Sequence, residues 1–364
     1  MLLKVVRDLI RNRNTPPASD ILRLARELLS RSRHEDAIEI LTTLLKHEPA
    51  CVEALILCGT AKREAGRSGE ALSDLARALV LAPDDPVGLY EMAATSYMLD
   101  DMRRAIEYCE RARRVAPEFN KPFALLAQLR LGGAFYLDVL ARILDHVKPR
   151  TYVEIGIFQG GSLRLAKPPT LAIGIDPNPH LVEPLAGNHK VFAETSDAFF
   201  AGRDLRAELG GLPVDLAFID GMHHFEFALR DFANLERHST RDSTILIHDC
   251  YPVDRESAAR DPRDTNWSGD IWRLIVLLKK YRPDLSVHTI GAPPTGLGLV
   301  RNLDPGSCYL HEHHDLLRDE FLELDYSYLD TDMGGKLNLF PNDWENIRAA
   351  LGKQGGRGEA TDSP

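Results

Sequence analysis

Three prolines impose a period on the first third of the chain. Pro49, Pro83 and Pro117 are separated by 34 residues and again by 34, and Ala37, Ala71 and Ala105 keep the same interval. A fixed period of this length restricts the fold to a supersecondary unit stacked on copies of itself, because one unit cannot bury its apolar face alone. The segments "DAIEILTTLLKHEP", "EALSDLARALVLAP" and "RAIEYCERARRVAP" each carry apolar residues at helical spacing and a proline just past the last turn, where it stops the helix. The preceding "EALILCGTAKREAG" also reads as a helix, with Gly59 at a position of close packing and Gly66 at the helix end.

This pattern resembles the tetratricopeptide repeat, a helix-turn-helix unit, in about three copies from Asp20 to Phe119. The departures are aliphatic residues at most of the aromatic positions and a glycine at position eight only in the middle copy. The expectation is an α-helical repeat domain over residues 20–122, preceded by a helical segment over 1–19. The resemblance implies a groove for a protein partner or for self-association; nothing in these residues specifies what fills it.

At 364 residues the chain is long enough for two domains. No window approaches the roughly 20 apolar residues that cross a bilayer, so no membrane association is expected. "MLLKVVRDLIRNRNTPP" mixes charge into its apolar stretch and lacks a small-residue cleavage site, so cytoplasmic residence is the expectation. Cys51, Cys58, Cys109, Cys250 and Cys308 are odd in number and show no CxxC spacing, which predicts reduced thiols rather than a disulfide framework or a zinc knuckle. The net charge of −10 falls almost wholly beyond residue 120, and an acidic domain without a basic stripe predicts no nucleic-acid partner.

After Pro122 the rhythm changes. Apolar runs at 151–157, 170–176, 190–196, 214–220 and 243–249 alternate with helix-like spacers, which implies right-handed crossovers and a parallel sheet covered on both faces. Ligands of such sheets bind beyond the carboxyl ends of the strands, near the point where strand order reverses. Four runs end there on a polar residue: Asp176, Ser196, Asp220 and Asp249.

"VEIGIFQGGSLRLA" puts glycines between a strand and an expected helix, where backbone amides can face a ligand, and Asp176 follows Gly156 by 20 residues, the place from which a carboxylate reaches ribose hydroxyls. The glycines Gly156, Gly160 and Gly161 do not make the G-x-G-x-x-G of dinucleotide sites. With "IGIDPNP", "TSDAFF", "FIDGMHHFEFALRDF" and "ILIHDCYP" in order, the chain resembles class I S-adenosylmethionine-dependent methyltransferases, in the bacterial branch of macrocin-type O-methyltransferases and cephalosporin-hydroxylase-like proteins. That resemblance implies an α/β Rossmann-like seven-stranded methyltransferase domain over 123–304, ending in an antiparallel pair "LSVHTI" and "GLGLVRNL". A helical extension over 305–352 is expected after it, and "KQGGRGEATDSP" (353–364) reads as a disordered tail. The resemblance further implies that Gly156 and Gly160 turn around the methionine part of S-adenosylmethionine, with Glu154 at the preceding strand. Ser162 would face the cofactor carboxylate, Asp176 would hold the ribose, and Ser196 and Asp197 would flank the adenine.

In this fold the ends of strands four and five place Asp220 and Asp249 about 5 Å apart at the backbone, beside the expected methyl group. Two converging carboxylates can hold Mg2+, although the third ligand position of catechol-type enzymes is Cys250 here, a poor ligand for a hard cation. His223 and His224 point about 100° apart at a helix start, so only one enters the cleft; His223 is the candidate base. His248, by strand alternation, is expected on the opposite face, as a histidine that is packed or supports the site residues from behind, and the "HEHHD" tract at 311–315 as a solvated helix start. Asp270, Trp267 and Trp272 belong to a segment expected over the acceptor pocket or, for the tryptophans, in the core. Together Asp220, His223 and Asp249 point to methyl transfer onto a hydroxyl of a small molecule or sugar. Two alternatives stay open: a repeat-based interaction protein whose second domain binds cofactor without turnover, and a protein methyltransferase whose substrate is recruited by the repeats.

Overall fold

A computed structural model describes residues 17–261 and 266–352. The expected segment 1–19 lies mostly outside the described residues, and the expected tail 353–364 lies wholly outside them. The chain divides into two compact units between Leu129 and Arg130.

The first unit is a run of paired helices: α1 (Ala18–Ser30) with α2 (His34–His47), α3 (Val52–Glu64) with α4 (Ser68–Leu81), α5 (Pro86–Met98) with α6 (Met102–Val115), then α7 (Asn120–Arg130). The three phased alanines sit on α2, α4 and α6 and are fully buried. A Cβ on Gly59 would lie 2.6 Å from Leu75 Cγ, so the α3–α4 contact is closer than alanine allows. One further element keeps the period. Arg77 donates to the Pro49 carbonyl at 3.2 Å and Arg111 to the Pro83 carbonyl at 3.1 Å, so an arginine on each later repeat closes the end of the helix before it.

The second unit opens with α8 (Tyr136–Val147) and is built on one sheet. Its strands are β1 (Thr151–Ile155), β2 (Leu171–Ile175), β3 (His189–Phe192), β4 (Leu216–Ile219), β5 (Thr244–His248), β6 (Ser286–Ile290), β7 (Leu297–Arg301) and β8 (Leu339–Phe340), in the order 3-2-1-4-5-7-6-8. Strands β1 to β5 are parallel and β7 is antiparallel to both neighbours. The expected strands are present, and the two-residue β8, drawn from the C-terminal extension, adds an eighth at the β6 edge. Val153, Ile155, Ala217, Ile219, Ile245 and Ile247 face one core with α11 (Phe225–Arg237) and α12 (Trp272–Tyr281), which follow α9 (Ser196–Gly202) and α10 (Leu205–Glu208). Tyr152, Leu216, Phe218 and Leu246 face the other with α8 and the helix Trp344–Leu351. Burial on both faces is why these strands read as continuous apolar runs. No helix among the described residues is long and apolar enough to cross a membrane.

Two expectations fail locally. The stretch between β1 and β2 holds only a 3-10 turn at Leu163–Leu165, and that between β2 and β3 holds no helix. Gly160 and Gly161 start the first stretch, Pro168 and Pro169 close it, and Pro177, Pro179 and Pro184 interrupt the second, so neither can sustain helical hydrogen bonding. The glycine loop therefore faces no helix N-terminus of useful length.

Candidate functional site

Strand order reverses between β1 and β4, and the residues leaving β1, β2, β4 and β5 meet at that edge. Gly156 leaves β1 at φ +83°, and a Cβ there would fall 2.0 Å from the Asp220 carbonyl oxygen. Only glycine lets the exits of β1 and β4 pass this closely. Its N–H donates to the Ile175 carbonyl at 2.8 Å, and Gly160 N–H closes the turn onto Ile157 at 2.6 Å. From the end of β2, Asp176 Oδ2 accepts the Ile157 and Phe158 amides at 2.9 Å each, and Oδ1 accepts Asn178 N–H at 2.8 Å. The acid expected at a ribose thus also ties down the glycine loop.

Glu154 is fully buried on β1 and accepts hydrogen bonds from Ser162 Oγ and, at 2.7 Å, from Tyr152 Oη. Ser162 is turned inward onto Glu154 and supplies no side-chain cap. Burial pushes the Glu154 carboxyl up to about 8, against those two bonds. From about pH 4.5 to 8 the folded chain holds a proton that the unfolded chain has released, so this group makes stability fall as pH rises, by about 1.4 kcal/mol per unit. Glu154→Gln is expected to lose that slope. Denaturant unfolding at pH 5 to 8 checks it, and parallel profiles for the variant and the native chain would count against a protonated Glu154.

Ser196 does not end a strand: β3 stops at Phe192, and Thr195 caps α9 by accepting the Ala198 N–H at 3.2 Å. Ser196 hydrogen-bonds Asp231, whose carboxyl is buried and pushed up to about 7 by that burial. Asp197 is exposed and held by Arg230 through bonds of 2.8 and 2.9 Å.

The densest chemistry lies past β4 and β5. Asp220, His223 and Asp249 each present one side-chain donor atom, all within 4.8 Å of one another. His223 Nε2 is 3.2 Å from Asp249 Oδ2 and 3.8 Å from Asp220 Oδ1, while its Nδ1 lies 2.8 Å from the Trp267 carbonyl. Asp249 Oδ1 accepts Thr295 Oγ1 at 2.6 Å. Burial opposes ionisation of Asp249, but the neighbouring imidazoles of His248 and His223 hold its carboxyl below the usual range. His224 turns away, with Nε2 2.9 Å from the Arg260 carbonyl. Cys250 is buried, its thiol directed to the Ile247 carbonyl at 3.2 Å. In the "HEHHD" tract His313 bonds the Tyr309 carbonyl and His314 pairs with Asp315, apart from these groups.

His248 lies on the other face from the one alternation predicts, where it supports the site residues. Its Nδ1 lies 3.0 Å from Asp220 Oδ1 and 3.3 Å from Asp249 Oδ2, so it joins the carboxylates. Alternation holds only while the backbone stays extended, and Asp249 has φ +61°, a left-handed conformation that costs a non-glycine residue about 1 kcal/mol or more. Both side chains consequently reach one cluster. The His248 ring also lies tilted against Tyr136, a residue that carried no motif, with ring centroids 4.0 Å apart. Trp267 lies against His223, Trp272 is core, and Asp270 is buried, accepting the Phe225 amide at 2.7 Å and pairing with Arg260 and Arg273. A cavity at the opposite edge of the sheet is lined by charges of both signs, among them Lys148, Arg150, Asp215 and Asp242, and takes no part in this cluster.

A family model described as a methyltransferase domain matches residues 153–250, and one described as a tetratricopeptide repeat matches residues 22–86. None of the curated proteins matches the chain. Among solved structures, the O-methyltransferase TomG from Streptomyces achromogenes, involved in tomaymycin synthesis and in complex with SAM, is 16% identical over 55% of this chain and 89% of its own, with a TM-score of 0.37. Cofactor-bound Rv0187 from MTB is 18% identical over 46% of this chain and 80% of its own, with a TM-score of 0.37. The MamA protein is 18% identical over 36% of this chain and 67% of its own, with a TM-score of 0.28. The chain thus carries a segment similar to tetratricopeptide repeats, followed by one similar to methyltransferase domains.

Proposed function

We propose that the second unit binds S-adenosylmethionine at the Gly156–Gly160 turn and directs its methyl group to a hydroxyl oxygen of a small molecule or sugar. The observation that carries this reading is the convergence of Asp220, His223 and Asp249 at the edge where the glycine loop leaves β1. When bound, the cofactor supplies a methyl group on a sulfonium. The chain's own residues hold the loop, orient the acceptor and take its proton.

Asp176 keeps the Ile157 and Phe158 amides in place through Oδ2 and has lone pairs left on Oδ1 for a ribose hydroxyl. Glu154 and Ser162 support the loop from beneath. Ser196 is tied to the buried Asp231 and Asp197 to Arg230, which fixes the start of α9 where an adenine would lie. Asp220 and Asp249 offer carboxylate oxygens, and His223 a ring nitrogen, to an acceptor hydroxyl held beside them, and holding it there supplies much of the rate through proximity. Nitrogen acceptors are disfavoured because "IDGM" ends β4 in place of an asparagine-proline motif. The repeats are assigned to a protein partner or a second copy of the chain.

Calorimetry with S-adenosylmethionine tests the reading. The full chain is expected to bind it, and Asp176→Ala to weaken binding at least about 30-fold, because both the ribose contact and the loop clamp are lost, each worth about 1 kcal/mol or more. No binding by the native chain at high micromolar cofactor would sink the proposal.

A further inference from the structure

His223 carries a conflict that no proton arrangement of a neutral ring resolves. A carbonyl oxygen only accepts, so the 2.8 Å contact to Trp267 puts the hydrogen on Nδ1. Nε2 is then a bare lone pair facing Asp249 Oδ2 at 3.2 Å and Asp220 Oδ1 at 3.8 Å. Asp249 is 3% exposed, and its buried Oδ2 has His223 Nε2 at 3.2 Å and His248 Nδ1 at 3.3 Å beside it, neither in hydrogen-bonding geometry. Three ligand-type atoms from the ends of β4 and β5, within 4.8 Å of one another, are reconciled by a positive centre, either a second proton on an imidazole or a bound cation. Ligand bonds of about 2.0–2.2 Å put neighbouring donor atoms on one ion about 3–4 Å apart, which is the spacing seen between His223 and the two carboxylates.

The surroundings are those that orient ligands. The Trp267 carbonyl fixes the far nitrogen of His223, Thr295 Oγ1 donates to Asp249 Oδ1 at 2.6 Å, and His248 Nδ1 lies 3.0 Å from Asp220 Oδ1. This donor set does not fit the Mg2+ that the family resemblance implies. Mg2+ takes oxygen ligands in near-ideal octahedral geometry, whereas an imidazole nitrogen here occupies one of three protein positions. Imidazole with carboxylates suits the later first-row divalent ions.

We propose that Asp220, His223 and Asp249 form a three-ligand site for a nitrogen-accepting divalent transition ion, such as Zn2+ or Co2+, in place of Mg2+. His223 is then a ligand, and of the three groups offered to the acceptor's proton under the proposed function, only carboxylate oxygens turned away from the ion remain to take it. What the ion would do chemically rests on the methyl-transfer reading; that it binds does not.

The test is a Co2+ titration of the chelator-stripped full chain, followed by visible absorption, with Zn2+ and Mg2+ compared by calorimetry. One equivalent of Co2+ is expected to give bands of a nitrogen-ligated ion, and Zn2+ to bind at least about 100-fold more tightly than Mg2+. His223→Ala is expected to weaken Co2+ at least about 10-fold, Asp249→Asn likewise, and His223→Asp to narrow the gap in favour of Mg2+. The histidines at 311, 313 and 314 are intact in every variant, so any background from them is constant. The site assignment is overturned if no cation binds, if Mg2+ binds as tightly as Zn2+, or if His223→Ala leaves Co2+ affinity unchanged. Co2+ binding without S-adenosylmethionine binding would spare this site and sink the function; the reverse result would do the opposite.

Discussion

Gly156→Ala is expected to abolish measurable S-adenosylmethionine binding and to lower the unfolding midpoint of the second unit by about 10 °C. The new methyl carbon would sit 2.0 Å from the Asp220 carbonyl oxygen and 2.5 Å from Asp220 C and Gly221 Cα, all main-chain atoms that no rotamer change can clear. The position also holds φ +83°, which costs an alanine about 1–2 kcal/mol before any clash is counted. Overpacking adds about 1–3 kcal/mol, and in a unit of this size each kcal/mol moves the midpoint by about 2–4 °C. Relief requires the exits of β1 and β4 to separate, which moves the Ile157 and Phe158 amides off Asp176 and carries Asp220 away from Asp249. Gly161→Ala is the matched control, since nothing lies within 4 Å of its Cβ position. Scanning calorimetry and cofactor titration of both variants check the contrast, and a Gly156→Ala midpoint within 1 °C of the native chain would refute it.

Gly269→Ala should be as damaging at the other side of the cluster. A Cβ there would lie 1.7 Å from the His223 carbonyl oxygen and 2.9 Å from His223 Cβ, at φ +62°. This is the seam where residues 266–271 cross the loop after β4. Ser268 and Gly269 N–H both donate to Ser257 at 3.0 Å, and Asp270 beneath them accepts the Phe225 amide and pairs with Arg260 and Arg273. The seam cannot open without pulling the Trp267 carbonyl from His223 Nδ1. The expected result is a midpoint lowered by about 10 °C together with at least a 10-fold loss of Co2+ affinity, because an imidazole without its carbonyl partner is free to rotate. Calorimetry and the Co2+ titration read the two effects separately, and an unchanged Co2+ affinity would show that the seam does not orient His223.

Both variants act through contacts between residues 65 and 46 positions apart, Gly156 with Gly221 and Gly269 with His223, and this is where sequence reasoning stops. The repeat was legible because its constraints are local and recur: Ala71 packs as Ala105 does, and Pro83 stops its helix as Pro117 does. Arg77 and Arg111 lie in the same phase and could have been read with them. The strands were legible because burial on both faces leaves uninterrupted apolar runs. The stretch after Gly156 misled, since glycines after a strand usually precede a helix, and here Pro168 and Pro169 end the stretch after one 3-10 turn.

The cluster itself divides along the same line. Asp220, His223 and Asp249 could be picked out because each follows a strand that the apolar pattern reveals, and a parallel sheet brings successive strand ends to one edge. His248 was assigned to the opposite face by a rule valid only for extended backbone, and the left-handed turn at Asp249 suspends that rule. Thr295, the Trp267 carbonyl and the Tyr136 ring reach the site from three other segments, and no local pattern announces them. The sequence by itself determined the repeat, the ends of β1, β2, β4 and β5 and which acids meet there, because periodicity and burial are written residue by residue. Only the tertiary structure decided which nitrogen of His223 is free and what faces it, because that depends on where distant backbone carbonyls and carboxylates come to rest.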